Sequence, residues 1–353
     1  MKLQAESRRE TGRLLDVDDL HTYFATPIGV VKSVDHVSFS LDRGRRLGIV
    51  GESGCGKTVL SRSIMGLLPR RNVVRGGSVM FEGRELTTMT LKERRKIWGA
   101  EMAMIFQDPM TSLNPVIRIG KQLIEPLQIH LGYDRATAAE TALRLLSDVG
   151  IPEPEKRMRQ YAHELSGGMR QRVMIAMALT CGPSVLFADE PTTALDVTVQ
   201  AQILDLIERQ RRDRNMSLVL VTHDLGVVAG HTDEIIVMYA GQIVEKAATS
   251  TLFASMKMPY TEALFRSIPK IESPSHTRLV TIGGRPPNLI SPPSGCRFSP
   301  RCHYATDVCT TTPPELEEAS PGHLFACHHP VGSERWHEVN VTLSTSSSKV
   351  EVS

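Results

Sequence analysis

Aromatic residues make up only 5% of this 353-residue chain, too few for the stacking platforms on which single-stranded nucleic acid is held. Neither sign of charge is in surplus. The 41 Lys and Arg face 39 Asp and Glu, so no global field recruits a polyanion or an anionic membrane surface, and no nucleic-acid partner is expected. The opening residues, M-K-L-Q-A-E-S-R-R-E-T-G-R, lack the apolar centre of a secretory signal, and the chain is expected to stay in the cytoplasm. The longest apolar stretch, Val173 to Ala188, is broken by Gly182 and Pro183 and is shorter than the ~20 residues that cross a bilayer. Membrane contact is therefore expected through partners. Cysteine is scarce as well, with six in all, yet Cys296, Cys302, Cys309 and Cys327 crowd into the last sixth of the chain. In a reducing compartment they are poor disulfide candidates, and their clustering needs another explanation. Cys55 and Cys181 read as small packing residues.

What is present fits an ordinary globular protein, at 41% hydrophobic and 23% charged, long enough for two or three domains of roughly 100–200 residues. From Leu14 to Ala248 short apolar runs alternate with amphipathic stretches, the pattern of a layered α/β domain. L-G-I-V (47–50), A-M-I-F (103–106), V-L-F-A (185–188) and L-V-L-V (218–221) read as buried central strands. Ligands of open α/β sheets lie beyond the C-terminal strand ends, where this chain carries G-E-S-G, Q-D, D-E and T-H-D. Residues 118–150 have helical spacing and read as an inserted helical subdomain. Val199, Ile203, Leu206 and Ile207 mark a helix that packs on the sheet. After about Thr249 proline and glycine rise, suggesting a separate loop-rich appendage. The polar, low-complexity end is expected to be disordered. The expected division is a flexible 1–13, a core at 14–249, a cysteine-bearing region at 250–335 and a disordered tail at 336–353.

G-E-S-G-C-G-K-T, 51–58, follows a strand and opens a helix, as a phosphate-binding P-loop requires. Its glycines let backbone N–H groups converge on phosphate, Lys57 supplies a point charge, and the Thr58 hydroxyl can reach Mg²⁺. At about 7% Gly per position a chance match is on the order of one per cent in a chain this long. The nucleotide-contacting run is Gly51, Ser53, Gly54, Cys55, Gly56, Lys57, Thr58 and Val59. A later strand ends V-L-F-A-D-E, offering Asp189 for the Mg²⁺ shell and Glu190 to polarise an attacking water; helix N-caps are the bland alternative. L-S-G-G-M-R-Q-R, 165–172, precedes an apolar helix. Ser166 is placed to cap it, and Gly167 and Gly168 expose donors at a second anion-binding helix start.

With these three motifs the chain resembles the ATPase subunits of ATP-binding cassette (ABC) systems. The resemblance implies the ABC-ATPase form of the P-loop NTPase α/β core, with an antiparallel β subdomain, an inserted α-helical subdomain at about 108–165 and a loop-rich C-terminal cysteine-containing domain. It implies that Ser166, Gly167, Gly168 and Gln171 of one ATPase cap the ATP held on another's P-loop. It makes Gln107 the Q-loop residue touching Mg²⁺ and water, Asp196 the D-loop acid and His223 the switch histidine. Taken alone, His223 reads as a satisfied core histidine and Gln107 as a loop amide; only their places at strand ends raise them. Phe24, or less favourably Tyr23, would stack on adenine. Hydrolysis at a closed dimer then reopens the pair.

About 110 residues separate P-loop and signature, a spacing like that of transporter ATPases. P-Y-T-E-A-L (259–264), I-G-G-R-P-P-N-L (282–289), G-C-R-F-S-P-R-C-H-Y-A (295–305) and F-Q-D-P-M-T-S-L-N-P (106–115) resemble bacterial oligopeptide/dipeptide importer ATPases. That branch implies a second ATPase subunit, a non-identical relative ahead of an identical copy. It also implies two transmembrane permease subunits, an extracytoplasmic solute-binding protein, and a place on the cytoplasmic face of the bacterial inner membrane. The expected cargo is di- or oligopeptides, with glutathione, nickel chelates or oligosaccharides as alternatives. A soluble non-transport ABC ATPase and a P-loop kinase are the rival readings. Cys296, Cys302, Cys309 and Cys327, with five, six and seventeen residues between them, match neither ferredoxin nor standard zinc spacings. The resemblance implies a 4Fe-4S cluster on them. Zinc is the alternative, as Cys₄ or as Cys₃His with His323, His328 or His329, and Arg297 and Arg301 are candidate counter-charges for the cluster.

Overall fold

The computed structural model describes residues 12–69, 71–108, 112–192, 197–267 and 282–347. Strands β1 (Arg13–Thr26) and β2 (Gly29–Asp42) form an antiparallel hairpin ahead of β3 (Arg46–Val50) and helix α1 (Lys57–Met65). The chain returns through β4 (Val73–Phe81) and β5 (Arg84–Glu85) to close a four-stranded antiparallel sheet in the order β2-β1-β4-β5. Alternating inward residues, Leu15, Val17, Val37, Phe39, Val79 and Phe81, are all buried. They pack with Leu60 and Ile64 of α1 and Leu47 and Ile49 of β3 in one core, as a sheet with one covered face should. This is the expected antiparallel subdomain.

The second sheet takes β6 (Met102–Ile105), β7 (Val185–Asp189), β8 (Ser217–Thr222), β9 (Glu234–Tyr239) and β10 (Gln242–Ala248). Its parallel part runs β9-β3-β8-β7-β6. Every residue of β6, β7 and β8 is buried, because helices cover one face and α1 with the antiparallel sheet the other. The four strands expected from apolar runs are β3, β6, β7 and β8. Between β6 and β7 lie α2 (Ile119–Leu131), α3 (Arg135–Asp148) and α4 (Gly167–Leu179). Gly132 in the left-handed region ends α2, and the Asp134 carboxylate accepts the Thr137 N–H to start α3. Leu123, Leu145, Leu146, Val173 and Leu179 join one core with Ile203, Leu206 and Ile207 of α5 (Val197–Arg214).

The C-terminal region departs from the sequence expectation. It is not a separate appendage: α6 (Pro259–Arg266) is followed by β11 (Glu317–Ser320) and β12 (His323–Phe325), and β12 pairs antiparallel with β10, extending the main sheet to eight strands. The cause is visible at Glu245 of β10, which is fully buried. Its carboxylate accepts the Lys257 N–H at 2.5 Å and the Met258 N–H at 3.0 Å, and pairs with His323 Nε2 at 2.8 Å. A buried carboxylate requires such partners, and the segment leading into α6 and the returning strand β12 supply them together. The expected disorder from 336 onward is also corrected: α7 spans Glu334–Ser347. Ser333 Oγ accepts the Trp336 N–H, the Trp336 indole donates to Glu262, and the Asn340 amide donates to the Tyr304 hydroxyl. Those docking contacts give a polar segment the tertiary support that its composition does not reveal. Residues 348–353 lie outside the described residues.

Candidate nucleotide site

The P-loop turns between β3 and α1 on two glycines that nothing else could replace. Gly51 has φ +152° and Gly56 φ +108°, and a Cβ would run into the Met238 carbonyl at the first and the Ser33 carbonyl at the second. Ser53 and Gly54 are exposed at the tip, Cys55 and Gly56 are buried beneath, and Val59 is half-buried in the first turn of α1. Lys57 is buried, and its Nζ donates to the carbonyls of Gly51 at 2.7 Å and Glu52 at 3.1 Å. The ammonium is thus folded over its own loop.

Thr58 Oγ1 donates to Asp189 Oδ1 at 2.9 Å. Asp189, the last residue of β7, is fully buried, and its Oδ2 has no hydrogen-bond partner. Burial holds this carboxyl above the usual carboxylate range and the neighbouring Glu190 adds to the rise, while Thr58, Arg62 and Lys57 oppose it. An orphaned carboxylate oxygen beside a hydroxyl is an incomplete oxygen donor set. It fits a hard divalent cation such as Mg²⁺, which takes a few protein oxygens and fills the rest of its shell with water and phosphate.

Glu190, the next residue, has φ +45°, a left-handed conformation that costs a non-glycine residue of order 1 kcal/mol or more. Its N–H is tied to the Val221 carbonyl at 2.9 Å. That turn sends the two adjacent acids apart: Asp189 faces Thr58, and the Glu190 carboxylate accepts Gln107 Nε2 at 3.0 Å and stands 3.4 Å from His223 Nδ1. Three strand ends, those of β6, β7 and β8, therefore converge on one carboxylate. His223 is half open to solvent, whereas Glu190 is mostly covered.

At the signature, Ser166 Oγ accepts the Met169 N–H at 3.3 Å and caps α4. Ser166 and Gly167 are exposed and Gly168 half-buried. Gln171 corrects the sequence expectation. It is 3% exposed and its amide donates to the Pro191 carbonyl, inside the fold. Five residues along a helix place it about 140° around from Ser166, so it cannot share the capping face. Asp196 lies outside the described residues. Phe24 sits half-buried on β1, opposite Val31 and Val73, while the Tyr23 hydroxyl is committed to Asp35.

Two contacts to the P-loop went unforeseen. Tyr260 of α6 accepts the Glu52 N–H at 2.8 Å, and Arg301 grips the Glu52 carboxylate at 2.6 and 2.9 Å. Arg301 is thus not a counter-charge for the cysteines, and neither is Arg297, which binds Asp35 and the Ala240 carbonyl. Both guanidiniums are buried, and a buried charge goes to the carboxylate that balances it. The only hint in the sequence was two arginines in a segment rich in proline and cysteine.

The four C-terminal cysteines do come together. The Cys296 N–H donates to the Cys309 carbonyl at 2.7 Å. Burial first, and then neighbouring cysteines, push up the thiols of Cys296, of Cys302 to about 11, and of Cys327. His323 Nε2 pairs with Glu245, His328 Nε2 with the Thr312 carbonyl and His329 Nε2 with Thr306, whose hydroxyl also lies 3.8 Å from Cys309 Sγ. Among the described residues, the set of three His, Cys, Asp or Glu side chains with ligand atoms within 4.8 Å of one another is Asp19, His21 and His36, two of them exposed.

Comparison with known proteins agrees over most of the chain. Residues 34–193 match the family described as ABC transporter, and residues 244–309 the one described as oligopeptide/dipeptide transporter, C-terminal region. The chain is 49% identical over 318 residues to the oligopeptide transport ATP-binding protein OppD of Salmonella typhimurium, covering 90% of this chain and 94% of that protein. It is 47% identical over 318 residues to the dipeptide transport ATP-binding protein DppD of Escherichia coli, covering 90% and 97%. Its fold is similar to that of the ATP-binding cassette MJ0796, a dimer bound to ADP and Pi, with a TM-score of 0.60 at 23% identity over 67% of this chain and 99% of that one. With this similarity spanning both the cassette and the region after it, the chain belongs to the ATP-binding subunits of ABC transporters, in the branch that carries the oligopeptide/dipeptide transporter C-terminal region.

Proposed function

We propose that this chain binds and hydrolyses ATP to drive import of di- and oligopeptides, as one ATPase subunit on the cytoplasmic face of a bacterial inner membrane. The observation that carries the nucleotide chemistry is the Thr58–Asp189 pair, with one carboxylate oxygen left orphaned in a buried site under the P-loop. The peptide cargo is supported by the 47–49% identity to peptide transport ATP-binding proteins. No helix among the described residues is long and apolar enough to cross a membrane, in keeping with attachment through two permease subunits served by an extracytoplasmic solute-binding protein.

Lys57, lying over its own loop, exchanges the Gly51 and Glu52 carbonyls for phosphate oxygens. Thr58 and Asp189 would hold Mg²⁺, which when bound neutralises charge on the phosphates. Glu190 accepts a hydrogen bond from the attacking water and takes up its proton, held in place by Gln107 and His223. The exposed start of α4, at Ser166, Gly167 and Gly168, presents backbone donors to nucleotide on the partner ATPase. That partner, with Asp196 at the contact, is a non-identical relative. Phe24 stacks on adenine.

The cysteine quartet is assigned to a 4Fe-4S cluster ahead of zinc. A single zinc ion, with Zn–S near 2.3 Å, draws its sulfurs to roughly 4 Å of one another, and among the described residues no three of these thiols stand within 4.8 Å. A cluster in which each iron takes one thiolate spaces them wider. When bound, it offsets thiolate charge and cross-links the segment. Two experiments test the proposal. Detergent extraction of native membranes with the tagged chain should co-purify two polytopic permeases and a second, non-identical ATPase. A Glu190→Gln strain should lose uptake of a labelled tripeptide. Recovery from the soluble fraction alone, with uptake intact, would promote the non-transport ATPase reading.

A further inference from the structure

Glu52, second in the P-loop, is held on two sides. Its carbonyl accepts Lys57 Nζ, so that side belongs to the phosphate cradle. Its other two groups are turned to the C-terminal region. The N–H is spent on Tyr260 Oη, and the Tyr260 ring is fully buried against Tyr239 and Phe298, at centroid distances of 4.5 and 5.3 Å. The carboxylate lies in the fork of Arg301, whose side chain is 3% exposed and also donates to the carbonyls of Gly283 and Ile282 and to the Tyr239 hydroxyl. A bidentate guanidinium–carboxylate pair fixes orientation as well as charge.

A carboxylate in a loop that must take a polyphosphate is an electrostatic liability unless its charge is cancelled. We infer that Arg301 and Tyr260 are positioning residues for ATP binding. Arg301 cancels and orients the Glu52 carboxylate, Tyr260 takes its N–H, and the C-terminal region thereby sets the shape and field of the P-loop. The inference rests on the P-loop reading given above. It also places the clamp beside the cysteines: Arg301 directly precedes Cys302, whose N–H closes the 3-10 turn at Ser299–Arg301 on the Ser299 carbonyl at 3.3 Å.

The test is steady-state ATPase kinetics of the purified transporter complex. Arg301→Met should raise KM for ATP about tenfold with kcat changed less than about threefold. Adding Glu52→Gln to the same chain should bring KM back to within about threefold of wild type, because the uncancelled charge is then gone. A merely structural role of Arg301 would show no such rescue, since the packing defect persists in the double variant. A wild-type KM in Arg301→Met, or a double variant no better than the single, overturns the inference. If Arg301→Met does not fold, Tyr260→Phe, which removes only the acceptor, carries the test with an expected rise of about threefold in KM, and no rise overturns it. Lys57→Ala separates the two levels. If it binds ATP as wild type does, the P-loop reading falls; if it loses ATP while the Arg301 and Tyr260 variants keep a wild-type KM, only the clamp falls.

Discussion

In the nucleotide site each reacting side chain stands within two residues of the end of a buried parallel strand. In the cysteine region Cys302 caps a 3-10 turn and Cys309 sits in a five-residue helix, while Cys296 lies in the loop ahead of the turn and Cys327 in the loop just past β12. β7 and β8 are held by sheet hydrogen bonds on both sides and β6, at the sheet edge, by its pairing with β7, so Gln107, Glu190 and His223 meet with no cross-link to gather them. The cysteine segment has little such scaffolding and buries thiols that repel one another once ionised. The contrast teaches that one site is organised by its fold before any ligand arrives, while the other, on the proposal above, would gain order from a bound metal.

The largest expected effect probes the first of these. Glu190→Gln should lower ATP turnover about 10²- to 10³-fold while nucleotide binding is kept, read as phosphate release against equilibrium binding. Near-wild-type turnover would remove Glu190 from the chemistry and break the comparison at its stronger end. The cysteine region should respond in stability. Cys302→Ser in anaerobically purified protein should abolish stoichiometric metal and cost about 2–4 kcal/mol of unfolding free energy, whereas the metal-stripped protein should hardly notice the change. Equal losses with and without metal would mean that the segment is ordered without it.

The smallest effect sharpens the picture of the pre-organised site. Asp189 has a raised folded pKa, so its ionisation penalises folding. That penalty is absent below the ordinary carboxylate value, grows as pH rises from there to the raised value, and is constant above it. Asp189→Asn should therefore stabilise the Mg²⁺-free protein by about 1 kcal/mol at pH 8 and by less toward pH 4, measured by denaturant unfolding. With Mg²⁺ and nucleotide present the sign should reverse. A gain independent of pH would trace to packing instead.

Much of the fold and the site was legible in the chain. The four apolar runs became β3, β6, β7 and β8, and the acids, amide and histidine after them became neighbours, because position at a parallel strand end is a local property with a global meaning. Gln171 was misread because a motif written as a string hides helical phase. The tail was misread because polar composition says nothing about docking, and Trp336 reaching Glu262 across the fold could not be seen in it. The cysteine-bearing region was misread as separate because the buried acid that binds it, Glu245, looks in sequence like any other strand-edge glutamate.

By itself the sequence determined the phosphate cradle, since its needs are local: glycines at left-handed φ, a lysine and a hydroxyl at the start of a helix, and a carboxylate at the end of a buried strand. Only the tertiary structure decided what stands behind that cradle. Arg301 and Glu52 lie 249 positions apart, no periodicity links them, and their pairing follows from burial: once β12 joins β10 and the C-terminal chain packs against Glu52, a guanidinium shut away from water must find a carboxylate.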